Sequence, residues 1–203
     1  MKKYAGIIEA FQKRNLAYEQ HSSVLVPLIE RDGELHVLFE VRSLQMNHQP
    51  GEICFPGGKI EKNEAPKEGA LRETTEELNI KKDHIHIIGE IQPIITPFHM
   101  TIYSYCGILK DIAFEDIAFN PSEVHSLFTV PLRFLLEVTP LIHHVENKMY
   151  PKDDFPYHLI QSGRNYHWKT GDYEVYFYEY GDYMIWGITA KILNHFLKIL
   201  KDY

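Results

Sequence analysis

Apolar positions along the chain follow two periods, one helical and one alternating. Tyr4, Ile7, Ile8 and Phe11 recur at helical spacing and predict a short amphipathic helix over residues 3–14. The runs VLVPLIE and LHVLFEV are joined by Asp32-Gly33, a dipeptide suited to positive φ, and so read as a β-hairpin. RSLQMNHQPGE reads as a loop, followed by a short apolar strand over 53–56 that Gly57-Gly58 breaks. Residues 66–78 predict a helix, with Pro66 at its first position and Asn79 as a left-handed cap. HIHIIGEI and HMTIYSYCGIL are strand-like, and NPSEVHSLFTVP is a turn leading into a strand. PLRFLLE reads as a brief helix and the charged stretch 146–154 as a surface loop. The aromatic runs over 155–161 and 173–180 have β character. Over 186–200, Ile188, Ile192, Leu193, Phe196 and Leu200 form one stripe, a packing helix without chemistry of its own.

Neither a repeat, a low-complexity tract nor a linker interrupts this pattern, so residues 1–203 read as a single domain. Periodicity alone supports a mixed α and β chain and no particular topology. The formal net charge of −7 disfavours a partner held by bulk positive charge, so neither nucleic acid nor a membrane surface is expected. The N-terminus lacks a secretory apolar core, and no apolar run is long enough to span a bilayer, which predicts a cytoplasmic protein. Cys54 and Cys106 lack metal-type spacing and read as ordinary thiols. The adjacent His143 and His144 would face opposite ways in a strand, so they are not read as metal ligands.

One segment resists a purely structural explanation. FPGGKIEKNEAPKEGALRETTEELNI places Glu73, Glu76 and Glu77 within about one quadrant of a helix at ~100° per residue. An acidic helix face is ordinarily just solvated, at a cost of a few tenths of a kcal/mol per like pair. Three features argue for more. Gly57-Gly58 allows backbone carbonyls to approach a ligand. Arg72, four residues before Glu76, is within reach of the loop carrying Glu64 and could pin it. The ligand set is all oxygen, which suits Mg²⁺ or Mn²⁺ rather than zinc. A divalent ion would turn the repulsion into coordination and points to phosphate chemistry.

At Gly58, Glu64, Arg72, Glu73, Glu76, Glu77 and Ile80 the chain resembles the Nudix hydrolases, which cleave nucleoside diphosphates linked to another moiety. Every charged position of that family's signature is filled at its spacing. Thr74 stands where an aliphatic is usual, and Asn79 where glycine is usual. The resemblance implies an α/β fold, a Nudix-type α/β/α sandwich with a mixed central β-sheet between the carboxylate helix and the C-terminal helix. It also implies that Glu73, Glu76 and Glu77 bind metal with the Gly57 carbonyl and carry catalysis. Gly58, Glu64 and Arg72 would support them, and water activated by the metal would attack a pyrophosphate in line. Which carboxylate serves as base is left open. Glu123 stands where several members supply a further acid from a loop, though an exposed loop acid is the commoner meaning of such a residue.

Upstream, LFEVRSLQMNHQPGEICFPGG resembles the motif that precedes this box in the coenzyme A pyrophosphatase subfamily. Leu38, Arg42, Ser43, Gly51, Phe55, Pro56, Gly57 and Gly58 are in register, while Phe39, Glu40 and Asn47 depart. The resemblance spans about residues 22–198, with an N-terminal helix before it and least likeness over 140–175. It implies a small-molecule substrate of coenzyme A type, with Arg42 and Ser43 contacting it, and 3′,5′-ADP and 4′-phosphopantetheine as products. Asn47 replaces a subfamily arginine, so another nucleoside diphosphate, such as ADP-ribose or a dinucleotide, stays open. Phe98, Tyr103 or Tyr105 could stack on a base, though strand aromatics more often pack in a core. A ligand sensor on the same fold is the reading from another class, and the retained helix acids argue against it. A homodimer is compatible with the sequence.

Overall fold

The computed structural model describes residues 20–97 and 100–202, so the helix expected over 3–14 lies outside the described residues. The chain divides into two compact units, one ending at Leu132 and one beginning at Arg133.

The first unit is built on a seven-stranded mixed sheet. Strands β1 (Gln20–Arg31) and β2 (Glu34–Arg42) form the expected hairpin, with Leu28 opposite Val37. Its turn residues Asp32 and Gly33 have φ of 53° and 81°, which is why that dipeptide serves there. Beyond the turn the two strands are bridged by short strands β3 (Ile53–Cys54) and β4 (Gly57–Lys59): Cys54 pairs with Glu40 of β2, and Gly58 with Ser23 of β1. The glycine pair therefore does not end the strand region, as its sequence implied; it begins β4. Gly57 has φ of 154°, and a Cβ there would lie 2.6 Å from the Val24 backbone, so only glycine permits the pairing.

On its other edge β1 runs parallel to β6 (Met100–Leu109), which pairs antiparallel with β5 (Ile85–Ile95). The second edge of β2 pairs with β7 (Val124–Pro131). Helix α1 (Pro66–Leu78) has the bounds its capping residues predict, and Asn79 adopts φ 50°, ψ 44°. Its Ala70, Leu71 and Leu78 pack with Leu25, Ile29, Leu38 and Tyr105 of the sheet. Tyr105 is thus core, with Tyr103 packed against the same cluster. Thr74 is fully buried, and its hydroxyl donates to the Ala70 carbonyl at 2.7 Å, so the polar atom at this usually aliphatic position is satisfied within the helix.

After the short helix α2 (Leu132–Glu137), the second unit holds a three-stranded antiparallel sheet of β8 (Leu141–Lys148), β9 (Thr170–Tyr180) and β10 (Tyr183–Trp186). Helix α3 (Gly187–Lys201) packs on β9 and β10 through a buried stripe that includes Ile192, Leu193, Phe196 and Leu197. Leu200, expected in that stripe, is exposed. Two local expectations are corrected. Residues Glu146–Lys148 belong to β8 rather than to a loop, paired with Asp172–Thr170 of β9. Residues 155–161 form no strand but a 3₁₀ turn at Tyr157–Leu159, where Phe155 packs its ring edge-on against Tyr157 and Trp168. None of the described helices is long and apolar enough to cross a membrane.

Candidate active site

Helix α1 places its acids at different depths because only one side of it rests on the sheet. Glu77 is 5% exposed, Glu73 half-buried, and Glu76 projects to solvent with a side chain 54% exposed. Arg72 gathers the region. Its Nε and Nη2 donate to both Glu64 oxygens at 2.9 and 3.1 Å, and Nη2 also donates to the Lys59 carbonyl at 3.0 Å. Its Nη1 donates to Glu73 at 2.8 Å and to Glu76 at 3.2 Å. The Arg72 hydrogen bond and the Glu61 backbone N–H hold the Glu64 carboxyl below its ordinary pKa. The glutamate loop, the end of β4 and the helix are thereby joined through one forked side chain.

Glu77 accepts a hydrogen bond from the Gly57 N–H at 2.7 Å. This bond uses the Gly57 amide and leaves the expectation for its carbonyl as it stood. Gly58 lies under Glu73: a Cβ there would fall 2.5 Å from the Glu73 carboxyl carbon, so glycine makes room for that side chain. Glu123, just before β7, accepts from the Asn120 amide at 3.0 Å, while its carbonyl accepts from the Ser43 N–H at 2.8 Å. Its charge acts weakly on both Glu73 and Glu77, after burial and nearer groups. Ser43 is buried, and Arg42 carries a buried Nε without a hydrogen-bond partner.

A further acid of this neighbourhood is Glu40, which is 1% exposed on β2. The sequence marks it only as a departure from the subfamily motif. Strand geometry puts Glu40 on the face of Leu38, and the structure shows Leu38 packed on α1. Cys54 donates its thiol to Glu40 at 3.1 Å. Burial raises the pKa of Glu40, and the charges of Glu123 and Glu73 add to it, against the Cys54 hydrogen bond and the Arg42 charge. Burial likewise raises Glu77, reinforced by Glu40, Glu73 and Glu123. Glu73 is raised by burial and lowered by its Arg72 partner.

Among the described residues no three acid, histidine or cysteine side chains stand close enough to share one ion as they are arranged here. Glu73 and Glu76 reach Arg72, and Glu77 reaches the Gly57 amide. The donors nevertheless fit a hard divalent cation. They are oxygens, and the one thiol nearby, Cys54, is held protonated by burial and by Glu40. Oε2 of Glu40 is buried without a hydrogen-bond partner, and Gly58 leaves Glu73 unhindered by a side chain.

The NUDIX domain profile matches residues 19–152, two thirds of the chain. The chain belongs to the Nudix hydrolase family. Nudix hydrolases act on phosphorus anhydrides and generally use divalent metal ions. Nudix hydrolase 3 of Caenorhabditis elegans is 30% identical over 88% of this chain and 72% of its own length. The peroxisomal coenzyme A diphosphatase NUDT7 of Mus musculus is 31% identical over 84% of this chain and 66% of its own length. The mitochondrial coenzyme A diphosphatase NUDT8 of Homo sapiens is 28% identical over 88% and 69%. This chain therefore spans about two thirds of the length of the two mammalian relatives.

Proposed function

We propose that this Nudix hydrolase cleaves the diphosphate of coenzyme A or its derivatives, giving 3′,5′-ADP and 4′-phosphopantetheine with consumption of one water. The supporting observation is the placement of the subfamily residues. Arg42 and Ser43 leave β2 beside Glu123, and the Gly51 N–H returns to the Arg42 carbonyl at 3.1 Å, which keeps that loop close to the acids. The likeness to two proteins named as coenzyme A diphosphatases points the same way.

Glu73 and Glu77, with Glu76 at the rim, would hold the divalent cation, Mg²⁺ or Mn²⁺. When bound, it supplies neutralising charge for the diphosphate and acidifies water. The chain's own groups do the rest. Arg42 offers a guanidinium to a phosphate. Arg72 fixes Glu73 and Glu64, so the helix acids keep their spacing when a charged substrate arrives. Glu77 is the deepest helix acid, oriented by the Gly57 amide and disposed to keep a proton while no cation opposes it.

A second reading, hydrolysis of another nucleoside diphosphate, is favoured by Asn47, which puts an uncharged, exposed side chain where the subfamily has a cation. Incubation with coenzyme A, ADP-ribose and a dinucleotide at equal Mn²⁺, with products identified, separates the two. Fastest turnover of coenzyme A supports the first reading, and slowest turnover overturns it.

A further inference from the structure

Glu40 is costly where it stands. It lies on the helix-facing side of the sheet, between Cys54 of β3 and Leu127 of β7, in line with Leu38. Its only described side-chain hydrogen bond is from a thiol, a weak donor, and its second oxygen is buried with none. An apolar or hydroxyl side chain would fit such a position at far lower cost. Its charged neighbours are further acids, Glu73, Glu77 and Glu123, while Arg42 is the cation acting on it. Arg72 is engaged by Glu64, Glu73 and Glu76. Carboxylates from sheet, helix and the β7 approach thus act on one another, and among the described residues Arg42 is the cation that opposes them at Glu40.

We propose that Glu40 is a sheet-borne member of the divalent-cation site, its free oxygen facing the helix acids and binding the ion directly or through one water. The inference rests on the metal-dependent reading above and extends it to an acid outside the helix motif. It also gives Cys54 a role: its thiol occupies one Glu40 oxygen and leaves the other to the ion. The acids on α1 would then form one wall of the site and Glu40 the opposite wall, with Glu123 at the side.

The test uses Mn²⁺ alone, followed by electron paramagnetic resonance of free ion and by thermal melts in EDTA and in Mn²⁺. Glu40→Gln keeps the shape and removes the charge. Mn²⁺ affinity should fall roughly 10- to 100-fold, as for other residues that support a metal site. The variant's melting temperature in EDTA should equal or exceed that of the wild type, because an unpaired buried acid has gone, while the rise on adding Mn²⁺ should shrink. A purely structural Glu40 gives the reverse, a lower melting temperature in EDTA with an unchanged Mn²⁺ increment, and that result overturns the proposal. If Glu40→Gln does not fold, Glu40→Asp withdraws the acid by one methylene and should still weaken Mn²⁺ several-fold; unchanged affinity overturns the proposal. Wild-type protein that binds no Mn²⁺ would remove the metal-dependent reading together with this one, whereas tight wild-type binding that Glu40→Gln leaves intact removes this one alone.

Discussion

Replacing Arg72 with alanine removes a side chain that joins the glutamate loop, β4 and α1. Five hydrogen bonds are lost, but they are unequal. The Glu76 pair, with a carboxylate 54% exposed, is worth about 0.3–0.5 kcal/mol as an i,i+4 surface pair. The Glu64 fork matters more, since the two side chains are only 25% and 15% exposed and the geometry is bidentate. A fully buried pair broken on one side costs about 3–5 kcal/mol. Glu64, however, sits in a surface loop that water reaches once the pair is broken, so we expect about 2–3 kcal/mol for Arg72→Ala, and about 1–2 kcal/mol for Arg72→Lys, which keeps charge but loses the fork. The assay is urea unfolding in EDTA, with Glu64→Gln and the double variant completing a thermodynamic cycle. A Glu64–Arg72 coupling of about 1–2 kcal/mol is expected. Additive single effects, with coupling under about 0.3 kcal/mol, would refute the idea that this fork ties the loop to the helix.

Three further outcomes follow from the same geometry. Glu77 is pushed from its ordinary 4.5 up to about 9, and Glu40 up to about 7. Their preference for the proton stabilises the fold fully below pH 4.5 and is lost as pH rises through those raised values. Metal-free protein should therefore melt at falling temperature between pH 5 and pH 9, and saturating Mn²⁺ should flatten the fall; a metal-free melting temperature that climbs across this range would contradict the assignment. Gly58→Ala forces a Cβ against the Glu73 carboxyl that Arg72 holds, so it should cost about 1–3 kcal/mol and at least ten-fold in turnover, read by melts and by product assay. Asn79→Gly relieves a residue held at φ 50° and should raise stability by roughly 0.5 kcal/mol in urea, leaving Mn²⁺ affinity unchanged.

Legibility in the sequence tracked how local the deciding interaction was. Helix α1 was readable to its ends because Pro66 and Asn79 act within a turn of where they stand. The β1–β2 hairpin was readable because Asp32-Gly33 sets its own backbone. Strand β4 was not, because Gly57-Gly58 is made a strand by Ser23 and Val24, more than thirty residues earlier in the chain. The end of β8 is not legible because that strand is exposed throughout and its charged last residues show no apolar alternation. Phe155 and Tyr157 have β propensity, yet they pack on each other, and Phe155 on Trp168, beside a 3₁₀ turn rather than in a strand. In the site, the helix acids and Arg72 announced themselves through spacing. Glu40 did not, since one acid in an apolar strand carries no pattern, and only the packing of Leu38 on α1 shows which way its neighbour two residues on must face.

The most direct measurement of the central claim is anomalous diffraction at the manganese edge from crystals soaked in Mn²⁺. A peak bonded to Glu77 and Glu73 is expected, with Glu40 in contact or one water away. A well-ordered site without any manganese peak beside those side chains would contradict it.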